Sequence, residues 1–229
     1  MSPFSFLLRL GALIPVIYYG VIIWGGLTTP GFNHMTQYID ELGKAGAPTA
    51  NIFNDAMMAV GGLAVFLGLA AVATIRRLGG GLLSGILAGA CIVAWGVSMI
   101  LAGMHPIPDP QHNAWNMGLA IHAAPLFLLW ALGGRSDVSG FKGLLTLSFL
   151  AGLVLLAVMM NWIPQVAALL HQNAPTLVTA DKAGLWQRVY SLTILPWLGL
   201  MGPALAGSLA ARARRAAMQS RMSVTSFSD

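Results

Sequence analysis

Side chains capable of acid–base chemistry are scarce in this chain, and most lie in three short segments. The first runs Asn33-His34-Met35-Thr36-Gln37-Tyr38-Ile39-Asp40-Glu41-Leu42-Gly43 and reaches Asn54-Asp55. The second is His105-Pro106-Ile107-Pro108-Asp109-Pro110-Gln111-His112, with His122 following it. The third holds His171, Asp181, Lys182 and Arg188. Histidine beside carboxylates is the material of a general acid–base pair, because imidazole exchanges protons near neutral pH and a carboxylate holds or charges it. Zinc is a weaker alternative: Asp109-x-x-His112 with His105 offers ligand types, but the chain has no HExxH and its single cysteine, Cys91, allows no CxxC. No Gly-x-Ser-x-Gly elbow points to a serine nucleophile.

Within these segments, Glu41, Asp109 and His122 are the expected catalytic residues, and Asn54, His105, His112 and Arg188 the expected binding residues. His122 leads. In a helix starting near Asn116 it lies roughly 9 Å along the axis at 1.5 Å per residue. Pro125 cannot donate to the carbonyl of Ile121, which leaves an acceptor beside the imidazole. An ionisable group at that depth marks a site or a proton path, and the competing role is a hydrogen-bonded link between helices. Asp40 and Glu41 diverge on a short turn whose apolar face is Tyr38, Ile39 and Leu42. Glu41 is expected to point inward, because Gly43 can end the turn after it. Three prolines around Asp109 fix its position, for chemistry or simply for a rigid turn. Asn54 or Asp55 also suits a helix cap. Arg188 has three candidate partners: Glu41, Asp109 or a lipid phosphate. Trp186 and Tyr190 suit an interfacial aromatic anchor.

The scaffold that must hold these residues follows from composition. Of the 229 residues 57% are hydrophobic and only 8% charged, with a mean hydropathy of +0.75. A soluble domain carries about a quarter charged residues, so the natural solvent is a bilayer. Six apolar stretches approach the roughly 20 residues a spanning helix needs: Leu7 to Leu27, Ala56 to Ile75, Leu82 to Met104, Asn116 to Leu132, Leu144 to Trp162 and Val189 to Ala210. The first is too long and uninterrupted for a cleaved signal peptide. The expected fold is therefore an all-α, six-helix integral membrane bundle over 1–211. A basic, disordered cytoplasmic tail is expected over 212–229.

Charge placement orients the bundle. Arg9, Arg76, Arg77, Arg135, Lys142, Arg212, Arg214, Arg215 and Arg221 fall on one side, against Lys44, Lys182 and Arg188 on the other. The positive-inside rule puts the first group, with both termini, in the cytoplasm. All five histidines then face outward. The net charge of +5 is explained by this bias and by anionic headgroups near the tail, not by nucleic acid. No lysine lies within a span for retinal linkage, and His122 is the one histidine clearly inside a span, so neither retinal nor haem has a signature.

The order Asp40-Glu41-Leu42-Gly43 before Ala45-Gly46-Ala47-Pro48, then Asn54, then Gly103-Met104-His105-Pro106 with Asp109, then His122-Ala123-Ala124, resembles a family of bacterial and archaeal membrane proteins. That family is catalogued as domain of unknown function 998. Glu41, Gly43, Asn54, Pro106, Asp109 and His122 carry over, whereas Asp40 replaces a small residue and His105 an aromatic one. The resemblance implies a six-helix membrane fold and no established activity.

Two function classes follow. The first is a membrane enzyme acting on a lipid or other amphiphile at an outward-facing polar site. The second is a non-enzymatic lipid-binding protein, or an accessory subunit of a membrane complex, with protein subunits or a second copy as partners. A small transporter ranks last, because the inward halves of the helices carry almost no polar residues. The expected location is the cell membrane, as a multi-pass protein of the bacterial inner membrane.

Overall fold

In hydrocarbon every backbone donor must be paired within the chain, and a helix does this without help from a neighbour. The computed structural model describes residues 3–113, 116–159 and 182–225, and the regular structure among them is helical throughout. The first span joins α1 (Pro3–Arg9) to α2 (Leu13–Thr28) through a 3₁₀ turn at Leu10–Ala12. It is followed by α3 (Ala50–Arg77), α4 (Leu82–Met104), α5 (Ala124–Leu132), α6 (Ser139–Met159), α7 (Ala183–Ser191) and α8 (Leu195–Thr225). Among the described residues, five stretches are long and apolar enough to cross a membrane, with a shorter apolar helix at Gly118–Leu132. The protein is an all-helical, multi-pass membrane bundle.

Three boundaries differ from expectation. The stretch Asn116 to Leu132 is not one α-helix but a 3₁₀ segment, Asn116–His122, leading into α5. Pro125, in the first turn of α5, has no N–H to continue an α-helix from before it. Helix α3 begins at Ala50, so Asn54 and Asp55 lie in its body and Thr49 occupies the cap position. Helix α8 runs on through Arg212 to Thr225, so the basic segment is helical that far, as its alanines, arginines and glutamine favour. His171, Asp181 and the expected fifth-span end at Trp162 lie outside the described residues.

The tightest packing joins α3 and α4. Gly89, Gly96 and Gly103 recur every seventh residue on α4 and meet Gly68, Gly61 and Asn54 on α3. A Cβ on Gly96 would stand 2.7 Å from the Gly61 oxygen and 2.9 Å from the Val65 nitrogen. Glycine is what permits backbones to approach this closely. The centre is filled by Leu8, Leu67, Ile92, Leu128, Trp197 and Leu198. Large apolar side chains such as Val16, Leu69, Trp130 and Leu147 cover the outside, a surface suited to lipid rather than water.

The bundle has two chemically distinct ends. At one, the Arg77 guanidinium lies 4.6 Å from the centre of the Phe4 ring, Arg212 donates to the Arg77 carbonyl and Arg135 to the Leu78 carbonyl. At the other, the loop between α2 and α3 is stitched on both sides. The Ala45 amide donates to Ile107 O at 2.8 Å, and the Leu185 amide to Met35 O at 3.0 Å. This loop thereby covers the histidine end of the bundle.

Candidate functional site

The lid centres on a 3₁₀ turn at Ile39–Gly43. With three residues per turn, side chains at i and i+3 eclipse, so Ile39 and Leu42 share the buried face while Tyr38 and Glu41 share another. Tyr38 is accordingly 51% exposed and is not part of the apolar face. Glu41 closes the turn on itself: Oε1 accepts from the Tyr38 amide at 2.9 Å and Oε2 from Gln37 Nε2 at 2.9 Å. The expected inward direction of Glu41 is therefore not seen. Asp40, the alternative, faces the bundle and lines a cavity.

That cavity has a volume of about 170 Å³. Its polar lining is Tyr18, Asp40, Gln187, Tyr190 and Ser191; the remaining walls are Met57, Trp95, Met99, Ile194 and Leu195. A neighbouring groove of about 190 Å³ shares Trp95, Met99, Tyr190 and Ile194 with it and continues along Ser98, Leu119 and Ile121. Gln187 ties the lid to α7. Its Oε1 accepts from the Ile39 amide at 2.6 Å, and its Nε2 lies 3.4 Å from Asp40 Oδ2.

His112 approaches the same Asp40 oxygen. Its Nδ1 donates to the His105 carbonyl at 2.7 Å, and Nε2 stands 3.9 Å from Asp40 Oδ2. At that distance the pair interacts as charges rather than through a hydrogen bond. The carboxylate is the largest influence on the imidazole and raises its pKa, with burial opposing. His105 itself turns to Asp109, Nδ1 to Oδ2 at 3.1 Å, while Asp109 Oδ1 accepts from the Gln111 amide at 2.8 Å. These two bonds, the amide first, hold the Asp109 carboxyl below the usual carboxylate range. Asp109 is thus a brace within the proline-rich loop.

His122 ends the 3₁₀ segment, where the longer rise of about 2.0 Å per residue carries it about 12 Å below Asn116. Its Nε2 is hydrogen-bonded to the Tyr190 hydroxyl, and its ring fits against Gly152 of α6, where a Cβ would stand 3.2 Å from Nδ1. Tyr190, expected as an interfacial anchor, instead turns inward and lines both the cavity and the groove. His122 meets the cavity only through this phenol.

Asn54 Nδ2 donates to the Gly43 carbonyl at 2.9 Å, fastening the lid turn to α3. Arg188 Nη1 donates to the carbonyls of Gln37 at 3.0 Å and Gly184 at 2.7 Å, with the guanidinium 5.7 Å from the Phe32 ring centre. Burial pushes the His34 imidazole below its usual pKa, with Arg188 adding to the effect. Among the described residues, no contact joins Glu41, Asp109 and His122 to one another, and no three His, Cys, Asp or Glu side chains gather as metal ligands.

The structure therefore brings His122 to the cavity through Tyr190, and sets His112 against Asp40. It places Glu41, Asn54, His105, Asp109 and Arg188 in the framework around it. Asp40, Gln187 and Tyr190 line the cavity and are not among the expected site residues. The signal for Asp40 was the i, i+3 pairing of Ile39 and Leu42; nothing local marks Gln187.

Residues 12–204 match the model of a family described as a protein of unknown function, DUF998. No curated protein and no solved structure matches the chain. With most of its length covered by that one model, this bundle of apolar helices belongs to the DUF998 family.

Proposed function

We propose that this membrane protein binds an amphiphile, its polar head in the cavity beneath Asp40 and its chain along the groove beside Leu119 and Ile121. Asp40 and Tyr190 then exchange protons with that head. The observation that carries the reading is the cavity lining, where a carboxylate, an amide and hydroxyls stand among otherwise apolar walls. The carboxylate has Gln187 and His112 only at long range, 3.4 and 3.9 Å, and a head group with hydrogen-bond donors supplies a closer partner. Tyr190, bonded to His122, has an imidazole behind it to take and return the phenolic proton, which is general acid–base chemistry.

The histidine end is read as outward-facing and the arginine end, with both termini, as cytoplasmic, in the inner membrane of a bacterium. The gathering of Arg77, Arg135 and Arg212 at one end supports this orientation.

The test is purification of the full chain with native lipid and mass spectrometry of the amphiphiles that remain bound. Met99→Trp, which fills the cavity from α4, is expected to lower retention at least about tenfold while the melting temperature holds. Unchanged retention in a folded Met99→Trp protein overturns the reading.

A further inference from the structure

At the opposite end of the bundle a second cavity, of about 310 Å³, is lined by Leu78, Gly79, Arg135, Asp137, Ala211, Arg212 and Arg215. Three separate segments build it. Gly79 turns the chain between α3 and α4 with a φ of +77°, a conformation glycine adopts without strain. The loop after α5 contributes Arg135 and Asp137, and the extension of α8 contributes both remaining arginines.

Two of the three guanidiniums are held by hydrogen bonds, and Arg215 stands exposed beside them. Arg135 Nη1 donates to Leu78 O at 2.9 Å and Nη2 to Asp137 Oδ2 at 2.8 Å. Arg212 Nη1 donates to Arg77 O at 2.5 Å. Those carbonyls belong to the C-terminal end of α3, where basic side chains commonly satisfy unpaired acceptors. Capping alone does not exhaust the donors, because each guanidinium has five N–H groups in a planar fork. The Arg135 Nε is buried and has no hydrogen-bond partner. Three arginines face one carboxylate, and that carboxylate already pairs with Arg135 at 2.8 Å.

We propose that this cavity is a binding site for a phosphate ester, gripped by Arg135, Arg212 and Arg215 in the forked geometry that guanidinium and phosphate share. The phosphate is that of an anionic lipid in the adjacent leaflet or of a soluble phosphate ester. The site is separate from the cavity beneath Asp40 and does not depend on the function proposed for it.

Arg214 provides the control, since it lies between Arg212 and Arg215 on α8, has the same charge and does not line the cavity. The full chain in nanodiscs of zwitterionic lipid is titrated with a phosphatidylglycerol-type lipid in one arm and with glycerol phosphate in the other. Arg212→Gln and Arg215→Gln are each expected to weaken binding about tenfold, and Arg214→Gln less than about twofold. Arg212→Lys, which keeps the charge and loses the fork, is expected to recover only part of the loss. Response in the lipid arm alone identifies a headgroup, and response in both arms a free ester; either supports the site. Equal losses for all three glutamine variants mean diffuse surface attraction and overturn the proposal, as does wild-type protein that binds in neither arm. Arg215→Gln keeps the test valid if Arg212→Gln disturbs the end of α3.

Discussion

Replacing Asp40 by asparagine isolates the charge pair at the lid. The two groups stand 3.9 Å apart, with His112 side-chain exposure at 9% and Asp40 at 40%. Opposite unit charges near 4 Å are worth about 1 kcal/mol in water and about 4 kcal/mol at an effective dielectric of 20. Asp40 is well exposed, so screening holds the contribution near the lower figure, about 1 kcal/mol. The pH dependence follows from His112. Its pKa is raised in the folded protein, so the stabilisation is fully present below the unfolded histidine value of about 6.5 and is lost as pH rises through the raised folded value. Asp40→Asn is therefore expected to lower Tm by about 2–4 °C at pH 5.5. It leaves Tm nearly unchanged at pH 9, where only the long contact from Gln187 is affected. His112→Gln is expected to show the same profile, and the double variant to be no worse than either single one. Melting in detergent across this pH range is the assay. A loss independent of pH, one that grows toward alkaline pH, or additive single effects would each show that the pair does not act as argued.

Gly96→Ala is expected to cost about 1–3 kcal/mol by forcing α3 and α4 apart, whereas Gly62→Ala, where a Cβ meets nothing within 4 Å, is expected to be neutral or slightly stabilising. Melting temperatures of the two variants check this, and equal effects would show that the glycine ladder is not what sets the helix separation. Orientation is checked with Cys91→Ser protein bearing Asn33→Cys at the histidine end or Ser136→Cys at the arginine end. An impermeant maleimide is expected to label Asn33→Cys on intact cells and Ser136→Cys only after permeabilisation. The reverse pattern inverts the bundle.

Long apolar runs such as Ala50–Arg77 and Leu82–Met104 were legible because a bilayer leaves the chain almost no alternative to a helix. Their ends were less so: Asn54 and Asp55 suit a helix cap, although α3 begins at Ala50 and buries Ala50 and Phe53 ahead of them. The stretch from Asn116 to His122 has the composition of an α-helix, and α-geometry begins only after it, with Pro125 in the first turn of α5. The histidine end depends on pairs far apart in the chain, Gln187 with Ile39 and Tyr190 with His122. Neither residue type announces such a partner, so Tyr190 reads locally as a membrane-surface aromatic. Asp40 was lost to a choice of period, since an α-helical turn and a 3₁₀ turn send adjacent side chains in different directions.

That choice changes what the Glu41, Gly43 and Asn54 pattern is for. Glu41 has both oxygens engaged within the turn, so it is poorly placed to act on a ligand. Gly43 has no room for a side chain, because a Cβ would collide with the Asn54 Oδ1 and stand 2.6 Å from Phe53 Cδ1. Asn54 in turn donates to the Gly43 carbonyl. The three residues form a clamp that fixes the 3₁₀ turn on α3, and the residue the clamp directs at the cavity is Asp40. A polar motif in a membrane loop can therefore be made mostly of positioning residues, with one neighbouring side chain, here Asp40, meeting the cavity.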